Sequence, residues 1–422
     1  MSTVRPGEEH PVQSAHDDPA DHRVVDDRPG VDDHTAAQAA GVAFEVNDRS
    51  SRADLARDRD AQLAVRLALA NTVEAADKQL MPILRGVDVF TAWEMVRTNW
   101  QGKFDRCQAR LGTLELDAIV ATTARLGARV VLPCDDEWPT SLDDLRDPPF
   151  CLWLRGRGHL DELVQGRSLS MVGSRAATAY GTHVAADIAM NLAGSGFTVV
   201  SGGAFGIDAA SHRGALAAGG RTIAAMAGGI DRLYPVANTE LLEQVMVDGV
   251  LITEQPPGWS PQRQRFLSRN RLIAALTAGT LVVEANLRSG SLSTAREADD
   301  IGRVVGAVPG PVTSPASAGT NKLIRDNKAV LVGDAEECAD LFGAIGDDCA
   351  PDKRAAPTLF DTLPTEQQRL LNAMPVVRGT SVERLAASAG MTGREVLRAL
   401  AVLGADGLVE RAGPGWRRRQ RV

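Results

Sequence analysis

Aromatic side chains are scarce in this chain: two Tyr, six Trp and nine Phe make up 4% of its 422 residues. Its hydrophobic content of 44% is nonetheless ample for a buried core. Cysteine is scarce too. Cys107, Cys134, Cys151, Cys338 and Cys349 are odd in number and contain no CxxC pair, which excludes a disulfide scaffold and reads as reduced thiols. No run approaches the roughly 20 apolar residues of a membrane span, and no signal-peptide core follows Met1, so a cytoplasmic protein is expected. Four of the seven histidines (His10, His16, His22, His34) lie at irregular spacing near the start, a pattern of solvated side chains rather than metal ligands. Neither metal nor cofactor is expected.

The net charge of −8 argues at first against a polyanionic partner. The acid is concentrated, however. Residues 1–60 hold 14 Asp/Glu against seven Arg and no Lys, which leaves −1 for the rest of the chain. Clusters such as Arg263, Arg265, Arg269 and Arg271 can then set a local potential of their own.

Residues 1–58 are polar, acidic and without apolar periodicity, as expected of a disordered tail. Apolar residues recur at helical steps over 59–126, a small helical domain. An extended, Pro-punctuated stretch (Val130 to Pro133, Trp138-Pro139, Asp147 to Gly156) leads into the next part. Residues 168–342 alternate strand-like runs (168–172, 197–201, 222–226, 250–253, 280–284, 304–308, 329–332) with helical ones (178–193, 207–218, 238–247, 291–301, 335–342). Such alternation predicts an α/β fold: a Rossmann-like, mostly parallel sheet with helices on both faces, over 127–342. A linker follows at 343–358. Over 359–422, three short helical runs and a hairpin around Gly413-Pro414 predict a winged-helix domain with a basic tail.

Two Gly-rich turns carry the chemistry. Gly173-Ser174-Arg175 follows the first apolar run of the sheet, and Thr178 stands where it can cap the next helix. Ser201-Gly202-Gly203-Ala204-Phe205-Gly206-Ile207-Asp208 follows the second run. Turns that bare backbone N–H groups at a helix start bind anions, and glycine allows a ligand close to the backbone. Gly173-Ser174 alone also suits a plain strand-to-helix turn; Arg175 inside it points to an anion. The second turn is neither a GxGxxG fingerprint nor a Walker loop. Asp208 reads as a catalytic acid or, more ordinarily, as a carboxylate among free N–H groups.

Arg269, Asn270 and Arg271 suit contacts with phosphate and sugar, or are simply a solvated helix start. Ser289-Gly290-Ser291 resembles another phosphate-binding helix start. Phe205 and Tyr234 are either stacking surfaces or core filler. His212, His159 and His183 have no partner by motif, and no nucleophile–base pair emerges.

These motifs occur in a familiar order, together with Asp231 to Pro235, Asn238, Glu284-Ala285, Val308-Pro309-Gly310 and Gly319-Thr320-Asn321. The series resembles the DNA-processing protein A family (DprA, also called Smf), closely over about 130–342 and more loosely over 359–418. The resemblance implies a homodimer that binds single-stranded DNA in natural transformation, shields incoming strands and helps load a RecA-type recombinase. It also implies that Arg175, Arg269 and Arg271 line one groove, that the 201–208 turn supplies N–H groups, and that Arg221 makes a basic contact. Leu267, where the family usually has Pro, and Ala227-Gly228-Gly229-Ile230 depart from the pattern.

Two other classes stay open. Rossmann-like enzymes that cleave nucleoside monophosphates carry a Pro-Gly-Gly-x-Gly-Thr element, and no such run is found. A winged helix with Trp416, Arg417, Arg418, Arg419 and Arg421 could instead read duplex DNA as a regulator.

Overall fold

A computed structural model describes residues 58–344, 348–351, 360 and 362–419. The expected tail (except Asp58), most of the linker and Arg421 lie outside the described residues. The chain divides into two compact units, Met1–Ala350 and Pro351–Val422.

The first unit opens with five helices: α1 (Arg59–Thr72), α2 (Met81–Leu84), α3 (Val89–Arg97), α4 (Asp105–Leu111) and α5 (Leu116–Arg125). Asp58 caps α1 and Asp88 caps α3, each accepting two backbone N–H groups. Then come β1 (Ala128–Val131), β2 (Leu152–Arg155), α6 (Leu160–Val164), β3 (Ser168–Val172), α7 (Ala179–Gly194), β4 (Thr198–Ser201) and α8 (Ile207–Ala217). They are followed by β5 (Thr222–Ala225), α9 (Thr239–Asp248), β6 (Val250–Thr253), α10 (Arg263–Ala275), β7 (Gly279–Val282) and α11 (Ser291–Asp300). The unit closes with β8 (Val304–Ala307), α12 (Ala318–Arg325), β9 (Val330–Leu331) and α13 (Ala335–Phe342).

Nine strands form one sheet in the order β1-β2-β6-β5-β4-β3-β7-β8-β9. From β6 to β9 all pairs are parallel; β1 and β2 add antiparallel pairs at one edge. The Pro-punctuated stretch thus supplies the two antiparallel strands at this side of the sheet, β1 being its edge, where the sequence predicts only extended chain. The α/β class and the Rossmann-like sheet are as expected.

Every residue of β3 to β7 is buried, as in a parallel sheet covered on both faces. The two-residue alternation sends Leu169 and Met171 to the face packed by α7, α8 and α13, and Val172 to the face packed by α10 and α11. Ser170, on that second face, donates its hydroxyl to the Ile273 carbonyl (2.6 Å), fastening α10 to β3. The N-terminal helices join the same body: Leu67 and Ala70 of α1 pack with Trp153, Met226 and Leu242.

The chain leaves β3 outward to β6 and returns beside β3 as β7. This reversal is a topological switch point, where open α/β sheets place ligands beyond the carboxyl ends of their strands. Gly173 and Glu284 stand on its two sides. No described helix is long and apolar enough to cross a membrane.

The second unit contains α14 (Thr365–Ala373), α15 (Val382–Ala389), α16 (Gly393–Ala405) and the hairpin β10 (Val409–Ala412) and β11 (Gly415–Arg418). This is the element order expected of a winged helix. Leu370, Leu371, Leu385, Val396, Leu400 and Leu403 form its core.

Candidate nucleic-acid interface

The two Gly turns are joined through their backbones. Ser174 N–H donates to the Glu284 carbonyl (2.6 Å), and Ile207 N–H to the Ser174 carbonyl (3.2 Å). Gly206 has φ +75°, and a β-carbon there would stand 2.2 Å from the Ser174 carbonyl oxygen. Only glycine fits so close an approach. The Glu284 carboxylate accepts from the N–H (2.8 Å) and the hydroxyl (2.7 Å) of Thr178, whose hydroxyl in turn caps α7 at Gly181.

Beneath the second turn lies Asp208. Its carboxylate accepts from the Ala204 N–H (3.4 Å) and is also hydrogen-bonded by the Gly202 N–H. The ordinary role considered for Asp208 is the one seen. The amides of Gly202, Ala204 and Ile207 therefore already have protein acceptors, and an outside anion meets this turn through its remaining donors. Burial raises the Asp208 carboxyl above the usual aspartate range, against the pull of Arg269, the two amides and Arg175.

Arg269 is the cation facing that carboxyl. It is buried, donates to the Ala225 carbonyl at the end of β5 (3.1 Å), and would touch any β-carbon placed on Gly202. Burial lowers its guanidinium to about 10, with Arg175 adding to the effect and Asp208 opposing it. It remains charged at neutral pH.

Arg175 is exposed at the rim, its guanidinium carbon 4.3 Å from the Phe266 ring centroid. The Tyr234 ring lies 6.0 Å from Phe266, tilted by 57°. Tyr234 and Phe205 are 46% and 48% exposed, which removes core filling as their role. An arginine, a phenylalanine and a tyrosine thus form a cationic and aromatic ledge above the switch point. Phe266 is the member that sequence reasoning missed. It precedes Arg269 by three residues, a spacing that puts both on one helix face.

The remaining sites named from the sequence are spread further. Asn270 donates to the Gly290 carbonyl (3.3 Å) and to Ser293 (2.8 Å), tying α10 to the start of α11. Ser289 and Ser291 share a hydrogen bond of 2.7 Å, and Gly290 is exposed between them. These three follow β7, next to the β3 turn in the sheet order. Arg271 does not join Arg269; it pairs with the buried Glu254 and lines a small cavity with Ala70, Val73 and Cys151. Arg221 precedes β5, at its amino end, so about 3.3 Å per strand residue separates it from the Gly turns. Arg265 pairs with Glu74 (2.8 Å) and packs 4.3 Å from the Trp259 centroid, with Arg110 completing the cluster.

His212 is fully buried, its Nδ1 2.8 Å from the Thr222 hydroxyl, which donates to the Val199 carbonyl. Burial, with Arg269 and Arg213, lowers it to about 3, so it is neutral at physiological pH. Among the described residues, no cluster of His, Cys, Asp or Glu could hold a metal ion.

Comparison with known proteins identifies the family. Residues 129–343 match the family described as DNA recombination-mediator protein A. A DprA DNA processing protein of Mycobacterium tuberculosis is 40% identical over 363 residues, covering 83% of this chain and 92% of that protein. The chain belongs to the DprA/Smf family. The DprA of Bacillus subtilis is 36% identical over 217 residues, 51% of this chain and 72% of the relative. The crystal structure of DprA from Streptococcus pneumoniae superposes with a TM-score of 0.56 at 27% identity, covering 67% of this chain and 98% of that one. Membership of this family makes the chain a DNA-processing protein of recombination.

Proposed function

We propose that this DprA-family protein binds single-stranded DNA along the carboxyl edge of its sheet, as a mediator and not as an enzyme. The observation that carries this is the ledge of Arg175 on Phe266 beside Tyr234, set on turns that glycine lets pack closely together. Guanidinium meets phosphate, and a ring accepts any base on its π-face, so binding is strong but largely indifferent to sequence. In a paired duplex the base faces are stacked away, which favours the single strand. Catalysis has little support here: Asp208 is held by amides of its own turn, and His212 is enclosed against Thr222.

The bound strand is then passed to a RecA-type recombinase in the cytoplasm, by a homodimer, during natural transformation or other recombination. The family description, a recombination mediator, supports this part. Faster RecA assembly on a single strand when the protein is present is its expected sign.

Anisotropy of a labelled single strand and its duplex, over a salt series, tests the binding. Affinity for the single strand is expected to fall by about 0.7 log units per log salt for each phosphate neutralised. A binding curve that does not move with salt, or that ignores Arg175→Ala, overturns the proposal. Release of free base from nucleotides would replace it by an enzyme.

A further inference from the structure

We infer that the second unit is a separate nucleic-acid site, one that takes duplex DNA on the exposed face of α16. This goes beyond the single-strand ledge and uses none of its residues.

Charge points there first. Residues 360–422 carry ten arginines and no lysine against six carboxylates, a local +4 in a chain of −8. Contacts within the unit engage four of these arginines. Arg369 donates to the Ala389 and Gly390 carbonyls, Arg417 and, at 3.8 Å, Arg419 pair with Glu410, and Arg411 packs on the Trp416 ring. Arg384, Arg394 and Arg398 are exposed and have no side-chain ion pair or hydrogen bond among the described residues. Cations kept free at the surface of an otherwise acidic chain create a local field suited to a polyanion.

Geometry decides how the polyanion is met. Helix α15 ends at Gly390, whose φ of +62° turns the chain, and Thr392 opens α16 two residues later with a capping box to Glu395. Two helices across so short a turn form a helix-turn-helix, whose second helix enters the major groove by its first turns. One face of α16, with Val396, Ala399, Leu400 and Leu403, is buried in the core. The other presents Arg394, Leu397, Arg398 and Ala401, which follow the three- and four-residue steps of a single stripe. Arg394 and Arg398 stand one turn apart, a rise of about 6 Å that spans nearly two base-pair steps. Arginine is the residue that reads guanine bidentately, and an exposed Leu397 between two such arginines suits a thymine methyl group. A β-carbon on Gly393 would meet nothing, so the helix start is open to close approach. Arg418 at the end of the hairpin is exposed, and Arg419 just past it is exposed with only a loose 3.8 Å pairing to Glu410; both suit flanking phosphates.

The test uses the full chain with a labelled mixed-sequence duplex and, separately, a labelled single strand. Arg394→Ala/Arg398→Ala is expected to weaken duplex binding at least tenfold while single-strand affinity stays within twofold. Arg418→Ala/Arg419→Ala, in a different element, should weaken the duplex again and flatten its salt dependence. Arg175→Ala should do the reverse, so that loss of the single-strand ledge and loss of this site are read apart. An unchanged unfolding midpoint shows that the second unit stays folded in each variant. No duplex binding at low salt, duplex binding that survives both double substitutions, or duplex binding abolished by Arg175→Ala would each overturn the inference. The first of these outcomes would leave Leu397 and its neighbours as a protein-docking face.

Discussion

Arg175 lies over the face of Phe266, 4.3 Å from its centroid, although one follows β3 and the other belongs to α10, which connects β6 to β7. The ring holds an exposed guanidinium in place without neutralising it, so its charge is kept for a ligand. Arg175→Ala should therefore reduce single-strand affinity about tenfold, and Phe266→Ala by a similar factor, since a base stack is worth about 1–3 kcal/mol. The double variant should lose less than the sum, because the two act together. Anisotropy titrations of all three variants would show it; simple additivity would mean that the stack has no part in binding.

Gly202 and Arg269 test the foundation beneath the ledge. A β-carbon at Gly202 would lie 1.7 Å from Nη1 of Arg269 and 2.6 Å from the Asp208 carboxylate. Gly202→Ala must push the guanidinium away and leave a buried carboxyl poorly compensated, a loss of about 3 kcal/mol. A urea midpoint reads this directly. Gly290→Ala is the control, since nothing stands near its missing β-carbon.

Much of this arrangement was legible in the sequence, and the exceptions have physical causes. The parallel sheet followed from strand and helix runs in alternation, and the Gly turns marked where its strands end. Helix α10 escaped notice because its buried side carries Arg265, Arg269, Asn270 and Arg271, whereas periodicity is read from apolar residues. Once that helix is known, Arg269 and Arg271 cannot share a groove. Positions two apart point about 200° from each other on a helix, and the pair divides accordingly between Asp208 and Glu254. The antiparallel strands β1 and β2 are four residues each, among prolines, too short to show a period.

His212 makes stability depend on acid. Unfolded, the imidazole takes a proton below its ordinary value of 6.5; folded, it resists until about 3. The folded-state value is depressed, so its contribution is fully present above pH 6.5 and is lost as pH falls from there toward 3. The slope approaches about 1.4 kcal/mol per pH unit within that window. His212→Gln, which can still bond Thr222, should flatten the dependence between pH 6 and 4. Unfolding free energies at several pH values would reveal it, and parallel curves for the two proteins would count against this role.

Glu74 joins the helices to the sheet. Its carboxylate takes Arg265 (2.8 Å) and Arg110 (2.6 Å), and both guanidiniums pack on Trp259. Burial alone would raise its pKa, but the two arginines outweigh that and hold it below the usual range. Glu74→Gln leaves the buried Arg265 without its counter-charge, and about 2 kcal/mol of stability should go with it, discounted for the partial exposure of Glu74. Because Arg265, Phe266 and Arg269 share α10, single-strand affinity should also drop, though less than in Arg175→Ala. Unchanged affinity alongside reduced stability would confine Glu74 to holding the helices in place.

Phe205 is the sharpest case of a ring without a structural reason. Gly203 and Gly206, both at positive φ, bracket it, and the turn leaves it almost half exposed. A chain so poor in aromatics gains no core from a ring in that place. Phe205→Ala should leave the unfolding midpoint where it is, since little buried area is removed, yet weaken single-strand binding about fivefold or more. Phe205→Trp should restore the affinity, and its indole fluorescence should be quenched as bases stack on it. Equal affinity for Phe205→Ala and wild type, with no quenching in Phe205→Trp, would place the strand along Phe266 and Tyr234 alone, with one end of the path at Arg175.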